Sequence, residues 1–310
     1  MTERMDISDD SATEQRRSQA AGNAPAAAYD VIVSIISMGD AAQLSDCLEA
    51  LAGAAAGVTW VCRVVDNGPS AGPVAEAATK HGAVTIRVEG RRGFSTNHNT
   101  VLRPLTSTGE ARYALVLNDD VLLDSGALAT MVAHLDSNEQ AGVAAPQLLH
   151  MDRSTAPTKM VFPTLASEIS RWFSQRQLAD ITAPGWIVGA CMLFRVAALR
   201  AVDSFDDGFF LFYEDVDICL RIVNAGYRCD LVPGATAVHV GHQSVGAITV
   251  GSLGSREYRR GRWRYFVKHR QPLAAVVLTA ASWVVVPLRR FSSPSRAERR
   301  AARMAEFKAK

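Results

Sequence analysis

Two periods of apolar residues alternate along this chain. Tyr29–Ser37 is β-branched and nearly all apolar, as a central strand buried on both faces requires, and Met38-Gly39-Asp40 ends it. Leu44, Cys47, Leu48 and Leu51 follow at spacings of three and four, the repeat of a helix with one buried face. The alternation continues with a strand at 60–65, an alanine-rich helix near 72–81, strands at 83–88 and 114–117, a helix near 125–137 and a short apolar piece over Ala141–Leu149. A loosely patterned region then reaches Asp180, and within it Arg171-Trp172-Phe173 reads as core packing. Residues 185–195 read as one strand whose small residues let something approach its backbone. The pattern closes with a helix over 196–202, a helix carrying Ile218, Leu220, Ile222 and Val223 that Gly226 ends, and a strand at 229–233 that runs out at Pro233. Strands alternating with helices predict a mostly parallel α/β sheet, in which ligands bind beyond the carboxyl ends of the strands.

That rule singles out two strand ends. Asp66-Asn67-Gly68 is either an ordinary turn or a ligand contact. Asn118-Asp119-Asp120 sets two adjacent carboxylates after an apolar strand, where they repel unless solvent or a cation intervenes. A Mg²⁺ or Mn²⁺ ion shared with a diphosphate is the usual chemical use of such a pair, and a solvated loop is the alternative. Between them, Arg91-Arg92-Gly93-Phe94-Ser95-Thr96-Asn97-His98-Asn99 carries neither a G-x-G-x-x-G run nor a G-K-[ST] ending, yet it is polar and basic enough to line a phosphate site. His98 within it reads as a hydrogen-bonded structural histidine. The stretch 205–221 sets Asp206, Asp207, Glu214, Asp215 and Asp217 among five aromatic rings. Acids beside rings are costly to desolvate, which points to an active-site floor. The same residues also suit a helix N-terminus, where the dipole favours negative charge and Asp217 can pair with Arg221. His239 and His242, three apart, form only a weak metal signal.

At 310 residues and 48% apolar content the chain can bury a full core. Its five cysteines are odd in number and form no C-x-x-C pair, so no disulfide framework or zinc site is expected, and they suit a reducing cytoplasm. Residues 1–28 are polar and alanine-rich without an apolar signal core, and read as a disordered lead. The net charge of +2 hides a split: from Ser255 onward fifteen Lys and Arg face three Glu, a net +12 that leaves the rest near −10. Residues 256–270 are basic and aromatic together, and the sixteen residues 273–288 carry no charge. That run is shorter than the roughly twenty residues needed to span a bilayer, so a helix lying in one leaflet of an anionic membrane is expected, with a helix packed on the domain as the alternative. No RNP or KH signature supports a nucleic-acid partner.

Taken together these residues resemble the inverting GT-A glycosyltransferases of family 2, and among them bacterial rhamnosyltransferases that act on lipid-linked sugars. The resemblance spans about residues 29–270 and rests on the order of Leu44-x-x-Cys47-Leu48-x-x-Leu51, Val65-Asp66-Asn67-Gly68-x-Ser70, Gly93-Phe94-x-x-Asn97-His98-Asn99, Leu117-Asn118-Asp119-Asp120-Val121 and Tyr213-Glu214-Asp215-Val216-Asp217-x-x-x-Arg221. It departs from the family where Ser37-Met38-Gly39-Asp40 ends the first strand and where Arg91-Arg92 precedes Gly93. The resemblance implies a GT-A domain over 29–254, with a donor half at 29–124 and an acceptor half at 125–254, followed by a basic helical tail at 255–310. It implies Asp215 as general base, with Glu214, Asp217 and Trp186 positioning the acceptor. Gly93–Asn99 would form a donor-side loop, Asp66, Asn67, Arg92, Asn97, Asn118 and Asp119 would bind the donor, and Asp120 and His239 would hold Mg²⁺ or Mn²⁺. The implied donor is dTDP-L-rhamnose or a UDP-sugar, and the implied acceptor is a polyprenyl-diphosphate-linked glycan at the cytoplasmic face of the plasma membrane. Self-association is left open. A non-catalytic, membrane-docked nucleotide-sugar binder is the competing implication.

Overall fold

The computed structural model describes residues 27–173, 184–240 and 256–292. Most of the expected disordered lead, and His242, lie outside the described residues. The first strand, β1 (Tyr29–Ser37), sits where its sequence predicts, between β2 (Trp60–Asp66) and β4 (Ala111–Asn118), and Val31, Ile32, Val33 and Ile35 are fully buried. Helix α1 (Ala41–Ala54) starts at Asp40, whose side chain accepts from the Gln43 amide, and buries Leu44, Cys47, Leu48 and Leu51. Helix α2 (Pro73–Lys80) and β3 (Val84–Arg87) complete one half of the sheet. Strands β1 to β4 run parallel in the order β3-β2-β1-β4, so the chain reverses its winding between β1 and β4. The carboxyl ends of these two neighbours, at Ser37 and Asn118, therefore flank the crevice where a ligand is expected.

The sheet extends to eight strands as β3-β2-β1-β4-β9-β6-β10-β5. Here β5 is Val121–Leu123, β6 is Ala141–Leu149, β9 is Cys191–Arg195 and β10 is Arg228–His239. Strand β9 runs antiparallel to both its neighbours, and β5 is antiparallel to β10. Helices α3 (Phe94–Thr108), α4 (Ala127–Ser137) and α6 (Val196–Ala201) pack on the sheet, and α7 (Glu214–Asn224) carries the acidic run. A small sheet of β7 (Lys159–Val161) and β8 (Gly185–Ile187), together with α5 (Leu165–Phe173), lies beside it. The chain continues into α8 (Arg256–Lys268) and α9 (Pro272–Ser292). All five cysteines are buried and free.

Three expectations are corrected. Residues 185–195 form two strands, because Val188-Gly189-Ala190 breaks the ladder between β8 and β9. The strand at 229–233 does not stop at Pro233: β10 passes through it, and the pairing with β6 slips between Leu231 and Thr236, so the missing N–H falls where no ladder bond is needed. The polar run 95–99 is the first turn of α3 rather than a loop.

Candidate active site

The acidic run is held by an unusual backbone. Phe212 and Tyr213 have φ of 69° and 70°, a left-handed pair of aromatic residues directly before α7. Such a conformation costs about 1–3 kcal/mol per residue and persists only where the surroundings impose it. On one side Gly93 lies so close to Phe210 that a Cβ would strike the Phe210 carbonyl, and the Phe94 amide donates to that carbonyl at 2.8 Å. Asn99 brackets the segment further back: its Nδ2 donates to the Phe205 carbonyl and to Asp207, and its Oδ1 accepts from the Phe205 amide. The acids of α7 thus stand at a helix N-terminus, and Asp217 pairs with Arg221 at 2.8 Å, as the local reading of the sequence expects.

Asp215 points into a cavity of about 420 Å³. Its Oδ2 accepts from the Gly189 amide at 3.0 Å and its Oδ1 from the Val216 amide at 2.8 Å. Burial pushes its carboxyl up to about 6, and these amides only partly offset that. Glu214 beside it is raised well above the ordinary carboxylate range by burial first and the charge of Asp215 second. Asp217 is fully buried on the far side of the helix and does not line the cavity. Arg221, Lys268 and His269 surround it, and although burial opposes ionisation, these partners hold its carboxyl below the ordinary range.

Across the cavity stand Asn118, Asp119 and Asp120. Asp119 accepts from Gln43 Nε2 at 3.0 Å; burial pushes it up to about 6, while hydrogen bonds from Ser37 and Gln43 oppose the rise and Asp120 adds to it. The two acidic banks are joined through one short turn, since the Asn118 amide donates to the Ala190 carbonyl and the neighbouring Gly189 amide donates to Asp215. Among the described residues no three His, Cys, Asp or Glu gather as a metal site. Asp120 and His239, brought together by the pairing of β5 with β10, do approach: Asp120 Oδ1 and His239 Nε2 are 3.1 Å apart. Both atoms are buried and misaligned, so neither completes a hydrogen bond. An unsatisfied carboxylate oxygen facing an unsatisfied imidazole nitrogen is a donor set that fits a divalent cation.

The remaining predicted residues divide in two. Arg92, Asn97 and Trp186 line the cavity. Asn97 is buried, donates to Asn67 at 3.2 Å and leaves its Oδ1 without a hydrogen bond. Asp66 and Asn67 lie behind the cavity wall. Asp66 bonds the Gly68 amide and pairs with Arg87 at 2.8 Å, and Asn67 ties Gly90, Arg92 and Asn97 together. His98 is the structural histidine its sequence suggests: Ser34 Oγ lies 2.8 Å from its Nδ1, and burial lowers it to about 3. Gly189 and Tyr258 also line the cavity and were not singled out from the sequence. Gly189 sits in the run of small residues that marks a close backbone approach, and the group that approaches is Asp215. Tyr258 carries no sequence signal, because its neighbours in the cavity lie some forty residues or more away in the chain.

The family model described as "Glycosyltransferase like family 2" matches residues 27–265. Rhamnosyltransferase WbbL of Escherichia coli is 26% identical over 192 residues, covering 57% of this chain and 71% of that protein. The N-acetylglucosaminyl-diphospho-decaprenol L-rhamnosyltransferase of Mycobacterium tuberculosis is 26% identical over 206 residues, covering 59% and 67%. Among solved structures, the mannosyltransferase PcManGT of Pyrobaculum calidifontis, in complex with GDP-Man and Mn²⁺, superposes with a TM-score of 0.52 at 17% identity, covering 96% of this chain and 86% of that one. S. aureus TarS gives 0.53 at 13% identity, covering 87% and 44%. These likenesses establish the GT-A fold.

Proposed function

Since the chain belongs to glycosyltransferase family 2, and is therefore a glycosyltransferase, we propose that it moves L-rhamnose from dTDP-rhamnose to a hydroxyl of a polyprenyl-diphosphate-linked saccharide, with inversion at the anomeric carbon. The observation that carries this reading is the convergence on one cavity of Asp215, with its raised carboxyl, and the Asp119–Asp120 bank opposite. Asp215 accepts the proton of the attacking hydroxyl, and the Gly189 and Val216 amides aim its oxygens and partly offset the burial that opposes its charge. Arg92 and Asn97 orient the donor, and Trp186 packs against the acceptor. Asp120 and His239 would hold Mg²⁺ or Mn²⁺, which when bound neutralises charge developing on the leaving diphosphate. The rhamnose choice is supported by the names of the two relatives, and divalent-metal use by the Mn²⁺ in the PcManGT complex.

A membrane-borne acceptor places the enzyme at the cytoplasmic surface of the membrane, held there by α8 and α9. No helix of the described residues is long and apolar enough to cross a bilayer. Ala274, Ala275 and Leu278 of α9 pack inward, whereas Leu273, Val276 and Val277, with Trp263 and Val267 of α8, stay exposed. The test is transfer of labelled rhamnose from dTDP-rhamnose to a short-chain prenyl-diphosphate N-acetylglucosamine, with and without Mn²⁺, alongside a UDP-sugar panel. Metal-dependent rhamnosyl product is expected. Transfer from a UDP-sugar alone would overturn the donor, and nucleotide-sugar binding with neither transfer nor hydrolysis would favour a non-catalytic role.

A further inference from the structure

Helix α8 lies directly on the segment that mounts Asp215. Gly261 is pressed against the strained segment before α7, where a Cβ would strike the Phe212 carbonyl oxygen. The Tyr258 and Tyr265 rings flank Tyr213 at centroid distances of 5.3 and 5.5 Å, and the Tyr213 hydroxyl meets Tyr258 at 3.2 Å and the buried Glu168 at 2.9 Å. At the far end of α8, Lys268 Nζ reaches Asp217 Oδ1 at 2.8 Å and Asp206 Oδ2 at 2.7 Å, while His269 Nε2 reaches Asp217 Oδ1 at 2.9 Å. Arg221 of α7 completes the shell around Asp217. The contacts to Asp217 grip the first turn of α7 from behind, two residues from Asp215 and away from the cavity lining. Lys268 and His269 fall beyond residue 265, where the family match ends.

We propose that Lys268 and His269 are positioning residues for the glycosyl transfer: by clamping the buried Asp217 they fix the rotation of α7 and with it the aim of Asp215. The inference rests on Asp215 acting as the base. Lys268 also spans Asp206 and Asp217, so one ammonium joins the segment entering α7 to the helix itself. A misaimed base loses rate without losing donor affinity, because the donor contacts lie across the cavity on other elements.

The test compares Lys268→Met, Lys268→Arg and His269→Gln with the intact chain, measuring nucleotide-sugar binding by calorimetry, single-turnover transfer, and the titration of the Asp215 carboxyl by ¹³C NMR. Lys268→Met is expected to slow transfer by about ten- to a hundredfold at unchanged donor affinity and to move the Asp215 titration. Lys268→Arg is expected to restore most of the rate, and His269→Gln to show a smaller loss of the same kind. Wild-type rate and an unmoved titration in folded Lys268→Met would overturn the proposal, as would an equal loss in Lys268→Met and Lys268→Arg. If the intact chain binds no nucleotide sugar, the donor reading fails instead, and the carboxyl titration still decides whether Lys268 positions Asp215.

Discussion

The two sides of one helical turn treat like side chains in opposite ways. On the cavity side of α7, Asp215 has only two amide donors, and burial raises it to about 6. On the back, Asp217 is more deeply buried, yet three basic side chains hold it below the ordinary range. Burial alone would push both upward; the partners decide. A carboxyl without a cationic partner, half-open to a cavity, can take up a proton from a substrate. One enclosed by cations serves to fasten the helix. The same division recurs across the sheet, where Asp66 is spent on Arg87 and the Gly68 amide while Asp119 and Asp120 face the cavity.

The sharpest way to break this contrast is to remove the charge of each acid in turn. Asp215→Asn should lower transfer on the order of a thousandfold while leaving nucleotide-sugar binding close to wild type, measured by single turnover and calorimetry. Asp217→Ala leaves Arg221, Lys268 and His269 facing an uncompensated gap and should cost about 3 kcal/mol in a denaturant titration, with activity falling as the fold weakens. Asp120→Ala and His239→Ala should each weaken metal-dependent donor binding roughly ten- to a hundredfold, with little change in metal-free binding.

Much of this arrangement could be read along the chain, and the remainder could not, for physical reasons. The strands, the α1 stripe and the acids at strand ends follow from local period and composition, which a sequence displays directly. Arg221 as a partner of Asp217 was legible because it lies four residues away on one helix; Lys268 and His269 were not, because only the fold brings them across fifty residues. The break at Val188-Gly189-Ala190 was hidden because small apolar residues satisfy a strand pattern equally well. The polar start of α3 read as a loop, although Ser95, Asn97, His98 and Asn99 are buried there, His98, Asn97 and Asn99 held by hydrogen bonds to β1, the Asp66-Asn67 turn and the 205–207 segment.

A smaller effect sharpens the comparison through stability. Asp215 has a folded value of about 6 against an ordinary 3.8, so its favourable contribution is complete below 3.8 and lost as pH rises through 6. Asp217 is lowered, so its contribution is present above 3.8 and fades as pH falls through its folded value. In thermal melts at pH 8, Asp215→Asn should therefore match or exceed the wild type, whereas Asp217→Asn should melt earlier. Lowering the pH below 3.8, toward the folded value of Asp217, should narrow the second gap.

The most direct measurement is the pH dependence of kcat/KM, taken at subsaturating donor and acceptor so that it reports the free wild-type enzyme. If Asp215 is the base in its buried mount, the rate falls to half near pH 6 on the acid side. A rate that stays flat from pH 8 down to pH 5 in folded protein would contradict the assignment.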